Sequence, residues 1–249
     1  MKEVFVMAKA PADRTTRSGN GQVPDSGPIT RQRILTAALE IIDRDGIDAL
    51  SMRRLGKALG RDPMTLYRHA PNKAALVDAV VESVLEQLEV DTDDGNWATQ
   101  LREVARGFRR LALDHPHVVP LLVTRPLSTP LGLRPLGTLR PLENILTLLT
   151  RAGFTATDAL HVYRALFGFL HGHVLNELQE LVEQPDEHDD LLRLGLHRLP
   201  IGDFPLLRGL ATVLASYDGA AELERGLDIL ITGLTATLPY PGTPAPTVS

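Results

Sequence analysis

The chain contains no cysteine, which excludes a disulfide framework and any thiolate metal site and fits a reducing compartment. Aromatic residues are scarce, at 4% of the 249 residues, and alternating apolar and polar runs are missing, so β-strands have little support. No stretch approaches the roughly 18 unbroken apolar residues of a membrane span. The apolar patch Val4, Phe5, Val6 and Met7 is too short for a secretory leader, so the chain reads as cytoplasmic, with no membrane partner. What is present is hydrophobic content of 43%, enough for a sizeable core, and an uneven spread of charge.

The net charge of −5 hides that unevenness. Residues 29–75 carry nine Lys/Arg against five Asp/Glu, and residues 1–28 carry four against three. The remainder carries thirteen against twenty-three. A basic N-terminal segment on an acidic body implies that one end meets a polyanion. A solvated charged face is the plain alternative, and charge alone does not choose between them.

Residues 1–28 mix Pro, Gly, Ser and scattered charges without periodicity and read as a disordered arm. Residues 239–249 read as a Pro-rich disordered tail. Between them the pattern is helical throughout, so the fold class is all-α. Thr30 caps a first helix whose apolar face is Ile34, Leu35, Ala38, Leu39, Ile41 and Ile42, and Gly46 stops it. Ser51 caps a second helix burying Leu55 and Leu59, which Gly60 ends. Asp62-Pro63 starts a short third helix, closed by His69-Ala70-Pro71. Asn72 caps a fourth, running to about Val90. Further helices are expected at about 97–114, 116–122, 138–152, 156–183, 204–216 and 220–237. An irregular segment at 125–137 and a polar linker rich in Asp, Glu and His separate some of them.

Three helices in about forty residues, the second ending at Gly60 and the third short, match a helix-turn-helix. A third helix that enters the major groove must offer polar contacts on its outer face. Thr65, Tyr67, Arg68 and His69 do so, while Leu66 faces the small core. Arg53 and Arg54 open the second helix. Lys73 sits in the first turn of the fourth, where a lysine opposes the helix dipole unless a phosphate approaches. The DNA-contacting set is therefore Ser51, Arg53, Arg54, Thr65, Tyr67, Arg68, His69 and Lys73 within residues 29–75. Its plain alternatives are Tyr67 packed between helices, His69 idle at a helix end, and Arg53 paired with Asp48 or Asp62.

Residues 31–76 resemble the DNA-binding region of the tetracycline repressor (TetR) family. The resemblance rests on Ile34 to Leu39, Gly46-Ile47-Asp48-Ala49-Leu50-Ser51-Met52-Arg53, Leu59-Gly60, and the run from Thr65-Leu66-Tyr67 through His69 and Lys73 to Leu76. It implies that Arg53 reads a base, that Thr65, Tyr67 and His69 touch phosphate or base edges, and that Lys73 anchors the DNA backbone. The similarity continues through Trp97, Phe108-Arg109, His115, Thr124-Arg125-Pro126, Ala152-Gly153-Phe154, Gly172-x-Val174-Leu175 and Gly226-Leu227-Asp228-Ile229-Leu230. That implies an effector-binding and dimerisation domain over residues 76–238, with the helices near 156–183 and 220–237 forming a four-helix bundle with a second copy. Leu223, Leu227, Leu230, Ile231 and Leu234 suit a bundle seam, or else ordinary intrachain core.

The resemblance also predicts an effector pocket of Val104, Phe108, Leu121, Arg125, Phe167, His171 and Asn176. Tetracycline-binding members carry a histidine, an asparagine and a partner-subunit glutamate where this chain has Leu121, Val104 and Asn176. Magnesium–tetracycline is therefore not the expected effector, and a more apolar ligand is, with Arg125 left for an anionic or carbonyl group. No metal or other cofactor is expected: His173 with Glu177, and His115 with His117, form only pairs, and a zinc site needs three or four ligands. No nucleophile, base and oxyanion donors converge, so no catalytic residue is assigned and an enzyme is not expected. The resulting expectation is a homodimeric, ligand-released repressor on a palindromic operator in double-stranded DNA. The alternative is an activator, or an effector-independent DNA-binding protein, of the same fold.

Overall fold

The computed structural model describes residues 29–93, 96–118, 120–121, 136–182, 199–214 and 216–238. The arm 1–28, the tail 239–249, Arg125 and most of the polar linker lie outside the described residues. Among the described residues every regular element is helical: α1 (Arg31–Asp45), a 3-10 turn (Ile47–Ala49), α2 (Met52–Leu59), α3 (Pro63–Leu66), α4 (Lys73–Leu85) and α5 (Trp97–Asp114). Then come α6 (Leu136–Arg151), α7 (Ala156–Val182), α8 (Pro205–Gly209), α9 (Ala211–Leu214) and α10 (Gly219–Thr237). None of these helices is long and apolar enough to cross a membrane.

Local chemistry sets the first four helices. Each starts on a side chain that accepts from a free backbone N–H: Thr30 from Arg33, Ser51 from Arg54, Asp62 from Met64 and Asn72 from Ala75. α1 ends at Gly46 (φ 79°) and α2 at Gly60 (φ 62°), both in the positive-φ region that glycine enters without strain. Ile34, Leu35, Ala38, Ile42, Leu50, Leu55 and Leu66 are buried together beneath these helices. α1 packs on α4, and α4 packs on α6, so α4 joins a head of α1 to α3 to a body of α5 and the helices after it.

In the body, α5 and α6 both pack on α7, and α10 packs on α7 and α5. Trp97 meets Phe154 edge-on, with ring centroids 5.0 Å apart. Gly153 (φ 100°) makes the tight turn between α6 and α7. Arg102 and Arg106 of α5 pair with Glu224 of α10, Arg106 Nε donating over 2.6 Å, and this pairing raises the Arg106 pKa and lowers that of Glu224.

Several boundaries differ from expectation. α4 ends at Leu85, and single turns carry the chain on to Leu88, which stays buried. The apolar spacing continues past the helix because these turns still face the core. Residues 116–118 form a turn and 120–121 are helical, rather than one helix over 116–122. The expected helix at 204–216 is two short ones interrupted at Leu210. α6 begins at Leu136, two residues inside the stretch read as irregular, and it holds Pro141 in its interior, as the expected helix at 138–152 does. The expected seam on α10 is corrected in part: Leu223, Leu227 and Ile231 are buried within the chain itself, whereas Leu230 and Leu234 are half-buried.

Candidate nucleic-acid interface and effector pocket

The outer face of α2 and α3 gathers the predicted contact residues. Ser51, Arg53, Tyr67, Arg68, His69 and Lys73 are exposed, and Thr65 and Arg54 are half-buried. Leu66 is fully buried, which turns its helical neighbours outward. α3 is regular only to Leu66, so Tyr67, Arg68 and His69 sit in the turn that follows, where His69 and Ala70 donate back to the Leu66 carbonyl.

The arginines divide. Arg53 makes no hydrogen bond or ion pair with any described residue, and neither Asp48 nor Asp62 holds it. Arg54 instead pairs with Asp45 at the end of α1, where Arg44 Nε also donates at 2.8 Å. Arg54 therefore helps hold α2 to α1. Ser51 has a structural task too, since its hydroxyl is the α2 cap. Two residues not singled out from the sequence join this face. Met64 is 71% exposed at the tip of α3, and Lys57 is exposed on α2. Helical spacing was the available signal for Met64, two residues before inward-facing Leu66.

The aromatic side chains of the body converge between α5 and α7. Phe108 lies 5.6 Å from both Phe167 and His171, centroid to centroid, and Phe167 lies 5.8 Å from His171. Tyr163 extends the cluster, 4.6 Å from Phe167. Its spacing of 163, 167 and 171 along one helix face was the signal for it in the sequence. Val104 is fully buried on α5. Burial pushes the His171 pKa below its ordinary value, so the ring is neutral at pH 7. Leu121 is half-buried, and Asn176 is exposed on α7.

Further along α7 is Glu177, the one buried charged side chain among the described residues. Arg109 holds it with two hydrogen bonds, Nε to Oε2 at 2.8 Å and Nη2 to Oε1. His173 Nε2 stands 3.5 Å from Oε2, and Gly219 at the start of α10 lies so close that a Cβ there would overlap the carboxylate. Burial is the main cause lowering the His173 pKa, with Arg109 adding to it against the opposing pull of Glu177. The two histidine pairs noted in the sequence are thus engaged otherwise: Glu177 binds Arg109, and His115 binds Asp43 at 2.9 Å.

Comparison with known proteins fits these observations. Residues 34–80 match the family described as bacterial regulatory proteins, tetR family. Residues 90–238 match the tetracyclin repressor-like C-terminal domain. The chain is 30% identical to an HTH-type transcriptional regulator of Saccharopolyspora erythraea, over 84% of this chain and 86% of that one. It is 31% identical to the class D tetracycline repressor protein of Escherichia coli, over 84% and 91%. Among solved structures, the TetR family protein ActR of Streptomyces coelicolor in complex with actinorhodin superposes with a TM-score of 0.72 at 33% identity, covering 85% of this chain and 97% of ActR. With matches to both its N-terminal and C-terminal parts, the protein belongs to the TetR family of transcriptional regulators.

Proposed function

We propose that the protein is a homodimeric repressor that binds a two-fold related operator through α2 and α3 and is released by an apolar small molecule. The observation that carries this reading is the unpaired cationic face of the head. Arg53, Lys57, Arg68 and Lys73 are exposed and find no carboxylate partner among the described residues. Tyr67, Thr65 and Met64 stand between them. Phosphates neutralise such cations, and in this reading Arg53, Thr65, Tyr67, His69 and Met64 contact base edges and thymine methyl groups. Ser51 and Arg54 set the position of α2.

A second copy supplies what one chain leaves open. Gly168 and Gly172 are exposed along α7, and no other atom of the described chain stands near where their Cβ atoms would be. Gly233 of α10 is similarly open, and Ile229 is 76% exposed. Small residues let two such helices approach a copy closely, and the bundle seam is this outer face, not the Leu223–Ile231 face. The exposed apolar side chains Leu206 on α8, Val213 on α9 and Leu210 between them add area for the same partner. The domain division follows: a head over 29–75 and an effector and dimerisation body over 76–238.

The effector reading rests on the aromatic cluster of Phe108, Phe167 and His171 beside Val104, which favours a flat, weakly polar ligand oriented by the neutral His171 ring. ActR has been solved with actinorhodin and with (S)-DNPA, which supports a body of this kind taking small molecules. Such a ligand weakens operator binding to the extent that it prefers the head spacing that does not fit DNA.

Selection from a random duplex pool tests this, comparing the parent with the Arg53→Ala, Tyr67→Ala double variant at fixed salt. Enrichment of an inverted repeat by the parent alone is the expected result. Enrichment of nothing, or equal retention of both proteins, overturns the reading.

A further inference from the structure

We propose that two polar latches between α1 and the body fix the angle at which the DNA-binding head is held. The inference rests on the reading of α1–α3 as that head. Each end of α1 is tied. Near its C-terminus, Asp43 Oδ2 lies 2.9 Å from His115 Nδ1, where His115 closes α5. At its N-terminus, Arg31 Nη2 donates to Glu82 Oε2 over 3.3 Å. The other oxygen of Glu82 accepts from the backbone N–H of Gly137, in the first turn of α6, at 2.8 Å. Glu82 thus bonds the head with one oxygen and the body with the other.

The chemistry of each latch shows why it positions and does not merely decorate the surface. The Arg31 side chain is 59% exposed, so its ion pair alone adds little. Glu82 is only 16% exposed, and its second bond reaches the free N–H of a helix start, a donor that favours a carboxylate. A Cβ on Gly137 would lie 2.5 Å from Glu82 Cγ and 2.9 Å from Glu86 Oε1, so α6 reaches α4 this closely only because residue 137 is glycine. Asp43 Oδ1 is buried with no hydrogen-bond partner, so His115 supplies the single hydrogen bond of this carboxylate among the described residues.

Beside the latches, Val77, Val80, Val81 and Val84 along α4 are buried and supply apolar packing. Apolar packing is non-directional and admits small rotations, whereas hydrogen bonds to fixed partners select one. One latch also connects to the predicted effector side. The Val118 N–H donates to the His115 carbonyl, and the Leu121 N–H donates to the Val118 carbonyl, both at 3.0 Å. Leu121 is therefore two hydrogen-bonded turns from the residue that grips Asp43.

The experiment reads the head angle directly, without DNA or effector. The absence of native cysteine allows two labels, at exposed Thr36→Cys on α1 and Glu143→Cys on α6, in the full chain. Dilution with unlabelled chain makes each labelled chain report on itself in pulsed electron-spin distance measurements. The parent gives one narrow distribution, and Asp43→Ala with Glu82→Ala widens it about twofold. Asp43→Asn with Glu82→Gln, which keep the acceptors, restores most of the narrowness. An unchanged width in the alanine pair overturns the proposal. Should that pair fail to melt cooperatively, Gly137→Ala displaces Glu82 with every polar group kept, and an unchanged width there overturns it equally. A failed operator selection removes the repressor reading but leaves these distances standing.

Discussion

Gly56 lies against Pro63 so closely that a Cβ on it would stand 3.2 Å from the proline Cγ and 2.8 Å from the Arg61 carbonyl oxygen. This approach seats α3 across α2 and sets how far Thr65 and Tyr67 project. Gly56→Val forces the two helices apart, and overpacking of this kind costs about 1–3 kcal/mol. The expected outcome is a lower melting temperature together with a loss of operator affinity larger than that of a core variant in the body with the same melting temperature. Titration of both variants against the selected operator checks it, and equal affinity losses would show that the α2–α3 spacing is not what the interface depends on.

The head was legible in the sequence because its signals are local. A cap needs only a side chain and an N–H two or three residues on, and Thr30, Ser51, Asp62 and Asn72 all act as their positions imply. Gly56 was not, since a mid-helix glycine reads only as a weak helix former until α3 lies across it. Arg53 and Arg54 are adjacent and alike in sequence, yet one faces out and the other turns back to Asp45. Which does which depends on the angle between α1 and α2. On α10 the apolar pattern was plain, but a pattern does not name its neighbour. Leu223, Leu227 and Ile231 face this chain's own α5 and α7, and the unpartnered face is marked instead by Ile229 and Gly233. The aromatic cluster was legible as far as Phe108, Phe167 and His171, whose rings do meet.

Lys57 and Lys73 are exposed and make no ion pair with any described residue. If they neutralise phosphates they release counterions on binding. Lys57→Ala and Lys73→Ala are each expected to lower the slope of log affinity against log salt by about 1. Arg54→Ala, whose guanidinium is engaged by Asp45, is expected to change stability more than that slope. Affinities for the selected operator at several salt concentrations test this, and unchanged slopes in both lysine variants would take these residues off the DNA.

Glu177 and Arg109 form a buried pair whose halves are unequal in their needs. The carboxylate is 5% exposed and the guanidinium 24%. Removing one partner leaves a charge without compensation, at a cost of about 3–5 kcal/mol, whereas replacing both by apolar residues of similar volume is often near neutral. Arg109→Met alone is therefore expected to destabilise the body strongly, and Arg109→Met with Glu177→Leu to recover most of the loss. Urea denaturation of the two variants measures the coupling. Additive losses would mean that the pair does not act as a unit in holding α5, α7 and the start of α10 together.

His171 gives stability a pH dependence whose sign follows from its burial. Desolvation lowers its pKa in the folded state from the ordinary value of 6.5, so the unfolded chain takes up a proton at a pH where the folded one does not. Above about 6.5 both states are neutral at this position and the group adds no pH dependence. As pH falls below that value the unfolded state binds more protons, and stability decreases until the folded-state pKa is passed. His173 is shifted the same way and adds to the slope. The parent is expected to lose stability between pH 7.5 and 5, and His171→Phe to lose less over the same interval. A phenylalanine keeps the ring beside Phe108 and Phe167, so denaturation curves of the two proteins at both pH values isolate the ionisation from the packing. Equal losses would assign the acid sensitivity to other groups and leave His171 as packing alone.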